Sequence, residues 1–224
     1  MERINLPQNN SDSTSVVRKT AGVLRNGGIA VVPTETVYGL AACLNNAEAV
    51  KKIIQIKGRD ENHPFAAAFP DTESIAGLGI LLNRAAMRLC RCCLPGPVSL
   101  VLDLDPHPHR FRSLPEIVQK AVSKESAVCC RIPDHPLLLN ILRELQEPVV
   151  LTSANRSGQG ELPDIDQIIN SIGSGIDLIL DAGRITRPVP STVVRITGSG
   201  YEILRQGVFP AETISRLLSP ETAE

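Results

Sequence analysis

The chain of 224 residues has no tryptophan, and its few Phe and Tyr bring the aromatic content to only 3%. A core built from it must be aliphatic, and platforms for stacking nucleic-acid bases are scarce. Charge of one sign is also lacking: 23 Lys and Arg stand against 24 Asp and Glu, a net charge of -1. That balance gives no whole-protein steering towards a polyanion, although a local basic groove remains compatible with it. No apolar run reaches the roughly 20 residues of a membrane span. Met1-Glu2-Arg3-Ile4-Asn5-Leu6 lacks the basic and apolar regions of a signal peptide. The expectation is a cytoplasmic protein with no membrane partner.

Several chemical signatures are missing too. There is no Walker P-loop and no Gly-x-Gly-x-x-Gly fingerprint. Ser153 sits in a strand-end turn without the Gly-x-Ser-x-Gly context of a hydrolase nucleophile. Phosphate or carboxylate recognition must therefore come from dispersed cations and hydroxyls. Lys57, Arg59, Arg131 and Arg205 each follow or end a predicted element, so they can converge. The six cysteines are badly spaced for a tetrahedral metal site. Cys129 and Cys130 are neighbours on a predicted strand and point to opposite faces. Of Cys90, Cys92 and Cys93, only the first and third share a helix face. His107 and His109 flank Pro108 with no third ligand nearby. No metal site is expected, and the thiols read as small reduced hydrophobes.

What is present is an interleaved α/β pattern with 42% hydrophobic residues, enough for a sizeable core. Neither a repeat nor a low-complexity linker divides it. Helices are predicted over 13–26, 47–56, 71–78, 83–92, 136–145, 163–172 and 211–218, with one or two helical turns over 117–122. Asp12 or Ser13 is the candidate cap of the first, and Pro136 opens the fifth. Strands are predicted over 29–32, 65–69, 98–102, 127–132, 149–152, 178–180, 192–196 and 201–204. Residues 105–114, rich in Pro and His, read as loop. Residues 1–12 read as a mobile segment, 13–207 as one domain, and 208–224 as a closing helix and tail.

The chain is organised around Val31-Val32-Pro33-Thr34-Glu35-Thr36-Val37-Tyr38-Gly39-Leu40, followed by Lys57-Gly58-Arg59. Pro33 ends strand pairing, so the next residues can face a ligand. Gly39 permits a sharp turn or a close approach. Glu35 is a candidate general base, although a turn carboxylate more often caps nearby amides.

Four more stretches follow in order: Leu94-Pro95-Gly96-Pro97-Val98-Ser99-Leu100-Val101-Leu102, Arg131-Ile132-Pro133-Asp134-His135-Pro136, Thr152-Ser153-Ala154-Asn155-Arg156-Ser157-Gly158, and Pro190-Ser191-Thr192-Val193-Val194. Leu204-Arg205-Gln206-Gly207 closes the set. Together they resemble the YrdC family of threonylcarbamoyl-AMP synthases over about Ser13 to Gly207. The resemblance implies an α/β fold of the α+β type. Its twisted, mixed, largely antiparallel sheet is flanked by helices around an open cavity. It implies ATP, as Mg-ATP, L-threonine and bicarbonate as substrates, and no tightly bound cofactor. The product would feed N6-threonylcarbamoyladenosine formation at position 37 of tRNA through a separate transferase complex. Carried over by motif, Lys57, Arg59, Ser153, Asn155 and Arg205 are expected on ATP. Thr34 or Thr36, with Tyr38, Arg131 and Ser191, are expected on the threonine and carbamate side. Two positions depart from the family pattern. Ala66-Ala67-Ala68-Phe69 lacks a histidine common in relatives, and Asp60 replaces a proline.

Two other readings compete. One is an RNA-binding module of the same fold without catalysis, and weak RNA binding is compatible with the synthase as well. The near-neutral charge and few aromatics argue against the module. The other is a carbamoyl-transfer module like that of hydrogenase maturation proteins. Their acylphosphatase and zinc-finger segments are absent from this sequence.

Overall fold

Side chains set the helix ends in the computed structural model, which describes residues 1–6, 14–58, 64–198 and 200–219. The strands are β1 (Glu2–Asn5), β2 (Ala30–Val32), β3 (Gly39–Cys43), β4 (Ala66–Ala68), β5 (Val98–Asp103), β6 (Ser123–Lys124), β7 (Ala127–Arg131), β8 (Val149–Ser153), β9 (Leu178–Asp181), β10 (Thr192–Ile196) and β11 (Tyr201–Arg205). The helices are α1 (Thr14–Arg25), α2 (Ala47–Lys57), α3 (Thr72–Gly77), α4 (Arg84–Cys93), α5 (His109–Arg112), α6 (Glu116–Val122), α7 (Pro136–Leu145), α8 (Ile165–Ile172) and α9 (Ala211–Leu218). The Asn46 side chain caps α2 by accepting from the Ala49 amide at 2.9 Å. Gly58, left-handed at φ 56°, ends that helix and turns the chain after Lys57. Pro136 occupies the first turn of α7, as the sequence predicts. The predicted start of α8 moves two residues, because Asp164 is its cap and accepts from the Gln167 amide. The cap expected for α1, Asp12 or Ser13, lies outside the described residues.

All the strands join one mixed sheet in the order β1-β9-β2-β3-β8-β4-β7-β5-β10-β11, with β6 beside β7. Among the described residues, six of its ten pairings are antiparallel. The sheet does not close, since β1 and β11 stand at its two ends. One face is covered along its length by α2, α4, α6, α8 and α9, through residues such as Ile53, Leu89, Val118, Ile168 and Ile214. The other face is covered only in part. There α1 packs Val17, Ala21 and Leu24, and α7 packs Leu137, Ile141 and Leu145, onto Ala30, Ala41, Val149 and Leu178. The remainder of this face is bare sheet, and it forms the cavity described below. No helix among the described residues is long and apolar enough to cross a membrane.

Three differences from the sequence reading have physical causes. The sequence sets residues 1–12 apart as mobile, yet Glu2–Asn5 pair in parallel with β9. Ile4 packs on the second core, and Arg3 bridges Asp166 and Asp181. Four residues with one apolar side chain give almost no periodic signal. The second difference is β3, whose Gly-Leu-Ala-Ala-Cys has weak strand propensity. It is a fully buried strand paired on both sides, by β2 and β8. The third is α5, a single turn inside the predicted 105–114 loop.

Candidate active site

Side chains two apart on a strand share a face. That rule builds the floor of a cavity of about 800 Å³ from Ser99 and Val101 of β5, Cys129 and Arg131 of β7, and Leu151 and Ser153 of β8. Its size suits a small-molecule site. Gly39 lines it from β3, where a Cβ would come within 2.7 Å of the Leu151 Cδ1. The loop from Asn155 to Glu161 and the segment around Pro190, Ser191, Leu204 and Arg205 form its walls. Among the described residues the lining carries three cations, Lys57, Arg131 and Arg205, and one carboxylate, Glu161. A chain of net charge -1 thus concentrates positive charge in its cavity. Burial raises the Glu161 pKa, while the charges of Lys57 and Arg205 pull the other way. Among the described residues no three His, Cys, Asp or Glu converge as metal ligands.

One corner is organised by Lys57, which is 3% exposed. Its ammonium donates to the Ser153 carbonyl at 2.7 Å, to the Asn155 carbonyl, and to Asn155 Oδ1 at 3.0 Å. Asn155 Oδ1 also accepts from Ser153 Oγ at 2.6 Å, and Asn155 Nδ2 donates to the carbonyls of Gln159 and Gly160. The Ser157 amide donates to the Lys57 carbonyl. Lys57, nearly a hundred positions before Ser153 and Asn155, therefore ties one loop into shape beside the cavity.

The opposite corner presents Arg131, 7% exposed. Its Nη2 donates to Glu35 Oε1 at 2.9 Å and to Thr36 Oγ1 at 2.7 Å. Thr34 Oγ1 lies 2.6 Å from the Val37 carbonyl and 2.9 Å from Thr36 Oγ1. A carbonyl only accepts, so the single Thr34 proton points there. Thr36 must then donate to Thr34, which leaves its lone pairs for Arg131. Thr34 also accepts from the amides of Thr36 and Val37. Both threonine protons are thus committed within the turn. Thr34 reaches the cavity wall, and Thr36 supports Arg131.

Ser191 and Arg205 meet at the remaining wall. Arg205 donates through Nε and Nη2 to the Ser191 carbonyl, at 3.2 and 2.9 Å, and through Nη2 to Ser191 Oγ at 3.3 Å. Ser191 Oγ and Ser99 Oγ lie 2.9 Å apart. Gly207 makes this closure possible, because a Cβ there would stand 2.2 Å from the Pro190 carbonyl oxygen and 2.4 Å from the Ser191 carbonyl carbon.

Tyr38 requires a correction. The resemblance places it on the threonine side, but Val37 and Gly39 line the cavity and Tyr38 points to the other face. There it is 1% exposed; its hydroxyl donates to the Gly183 carbonyl at 2.7 Å and accepts from the Ala182 amide. Burial pushes the phenol up to about 12, so it remains a donor. Arg59, and with it Asp60, lies outside the described residues. Thr34, Lys57, Arg131, Ser153, Asn155, Ser191 and Arg205 do meet at one cavity. Glu161 and Cys129 also line it and were not anticipated as site residues. Cys129 was within reach of the alternation rule, two residues before Arg131, whereas no sequence signal marked Glu161.

Comparison with known proteins is consistent with this geometry. A family model named Sua5_yciO_yrdC, described as "Telomere recombination", matches residues 22–207. The threonylcarbamoyl-AMP synthase of Bacillus subtilis is 30% identical over 204 residues, covering 91% of this chain and 57% of that protein. The human threonylcarbamoyl-AMP synthase is 30% identical over 202 residues, covering 87% of this chain and 68% of that protein. Among solved structures, P. abyssi Sua5 complexed with L-threonine superposes with a TM-score of 0.83 at 27% identity. The match covers 97% of this chain and 60% of the Sua5 chain.

Proposed function

This chain belongs to the Sua5/YciO/YrdC family, and on that premise we propose that it is a threonylcarbamoyl-AMP synthase, a nucleotidyltransferase. Its substrates are ATP, as Mg-ATP, L-threonine and bicarbonate. Its products are threonylcarbamoyl-AMP and pyrophosphate. The observation that supports this most is convergence: motifs from Thr34 to Arg205 contribute to one cationic cavity. The threonylcarbamoyl group then passes to a tRNA adenosine through a separate transferase complex.

The chemistry asks little covalent work of the protein. The threonine amine combines with bicarbonate to give a carbamate, with loss of water. A carbamate oxygen attacks the α-phosphorus of ATP, and the bond to pyrophosphate breaks. Negative charge accumulates on the phosphates, and preorganised cations stabilise it. In this reading Arg131 takes the threonine carboxylate, with Ser191 beside it. Arg205, Arg59, Ser153 and Asn155 bound the nucleotide, and Lys57 holds the loop that carries two of them. The test is mass spectrometry of the purified chain with ATP, threonine and bicarbonate. The expected adduct forms only when all three are present, and pyrophosphate release needs threonine but no RNA. Folded protein that yields no adduct with all three substrates present would overturn the proposal.

A further inference from the structure

The backbone of Arg131 is fixed from both sides. Its carbonyl accepts from the Phe69 amide, and the next carbonyl, of Ile132, accepts from Gly96, both at 2.9 Å. The direction of the side chain is then decided at its tip. Nη2 carries two hydrogens, and Glu35 Oε1 and Thr36 Oγ1 take both. The Thr36 hydroxyl cannot turn away, because Thr34 and the Val37 carbonyl fix its proton. Glu35 is the only member of this anchor with charge, and the ion pair is dry: the two side chains are 8% and 16% exposed. At such burial an arginine–carboxylate bond is strong and directional. Glu35 itself is absent from the cavity wall. Its second oxygen, Oε2, is buried without a partner among the described residues, as are Arg131 Nε and His135 Nδ1.

A general base must reach the proton it removes. A carboxylate with one oxygen on a guanidinium and the other buried away from the cavity is poorly placed to do so. We propose instead that Glu35 is a positioning residue for substrate recognition: its carboxylate aims the Arg131 guanidinium so that the free N–H groups meet the carboxylate of the amino-acid substrate. This rests on the reading of the cavity as an amino-acid and nucleotide site. Arg131 without Glu35 keeps its charge but loses its fixed angle. The effect therefore falls on amino-acid affinity, with nucleotide affinity and turnover at saturation spared.

The experiment is calorimetric titration of L-threonine and of ATP into the full chain, its Glu35→Gln variant and its Glu35→Asp variant, with melting curves and steady-state kinetics alongside. Glu35→Gln is expected to weaken threonine about tenfold to a hundredfold and to leave ATP within about threefold, from the loss of one charge-assisted bond. Glu35→Asp keeps the charge on a shorter arm and is expected to recover part of the affinity. Equal threonine binding by wild type and Glu35→Gln overturns the proposal, as does a fall in kcat with threonine KM unchanged, the pattern of a lost base. Lower melting with wild-type constants in both variants also overturns it, by reducing Glu35 to a structural role. If Glu35→Gln does not fold, unchanged threonine affinity in Glu35→Asp decides against it. A wild-type chain that binds no threonine at all refutes the functional reading rather than this inference.

Discussion

Lys57 and Arg131 are both buried cations on the wall of one cavity, yet they relate to their surroundings in opposite ways. Lys57 organises others: its ammonium reaches two carbonyls and one amide oxygen of the Ser153–Asn155 turn. Arg131 is itself organised, by the Glu35 carboxylate and the Thr36 hydroxyl. A lysine suits the first task, since three donors on a compact head can satisfy three acceptors from different directions. An arginine suits the second, because its planar fork can be held by one edge while the rest stays available. The lesson is that positive charge beside a cavity does not by itself identify a ligand contact. The partners that already hold the charge decide whether it shapes the site or touches the substrate.

Lys57→Met is the sharpest way to break that comparison, and its effect should be the largest. Methionine keeps most of the volume and removes every donor: the Asn155 carbonyl is left without a partner among the described residues, while the Ser153 carbonyl keeps the Asn155 amide and Asn155 Oδ1 keeps Ser153 Oγ. Orphaning one buried acceptor costs ~1–3 kcal/mol, and the other two lose a bond to a charged donor. We expect a stability loss of ~2–5 kcal/mol in denaturant unfolding and a fall in activity beyond about a hundredfold. Threonine and ATP affinities should fall together as the loop loosens. Unchanged stability with only a raised ATP KM would assign Lys57 to phosphate binding and erase the distinction.

Arg131→Ala comes next. We expect threonine affinity to fall by ~1.5–3 kcal/mol with ATP affinity nearly unchanged, because the lost contact is a charge-assisted bond to one substrate. The variant should also melt lower, since Glu35 is left buried without its counter-ion. Calorimetry with both ligands checks this, and equal losses for the two would merge the corners into one phosphate site. A smaller effect is expected for Tyr38→Phe. It removes the bonds to the Gly183 carbonyl and the Ala182 amide, both in exposed residues, so stability should fall by at most ~1 kcal/mol while threonine KM stays at the wild-type value. A raised threonine KM would return the phenol to the substrate.

Much of this arrangement was legible in the sequence, for identifiable reasons. α7, α9 and β10 run between the residues that periodicity and capping predict, because each has an unambiguous apolar pattern. Arg131, Ser191 and Arg205 were placed at a shared site by motif, and they line one cavity. Tyr38 was misplaced because a turn gives no rule for which side of the sheet the next residue will face. The register of β3 decides it, and β3 itself is written in Gly, Ala and Cys, which advertise no strand. The use of Lys57 was hidden for a related reason. Its partners are backbone oxygens of a turn nearly a hundred positions later, and only the tertiary fold brings them near. Glu161 belongs to the same loop and shares its invisibility.

The smallest effect concerns His135 and separates the two corners by their response to acid. His135 precedes α7 on the Arg131 side, and its Nδ1 is buried. Burial lowers its pKa below the ordinary 6.5; Glu35 first and then Asp134 oppose that shift without cancelling it. In the unfolded chain an imidazole takes its proton near pH 6.5. Above about pH 7.5 it is neutral in both states and adds nothing to the pH dependence. As pH falls through 6.5 the unfolded state binds the proton and the folded state resists it, so stability is lost. The loss continues until pH passes the lower folded-state value, where the two states again bind equally. His135→Asn removes this difference in proton uptake. We expect wild type to lose more unfolding free energy than the variant between about pH 7.5 and 5.5, the sign that a lowered folded-state pKa dictates. Comparing the two proteins cancels groups common to both, including Glu161, whose pKa burial raises on the Lys57 side. Parallel pH profiles would mean that His135 gains a proton as readily folded as unfolded. The Arg131 corner would then tolerate a third charge, and the Glu35 carboxylate would be shared between two cations instead of aiming one.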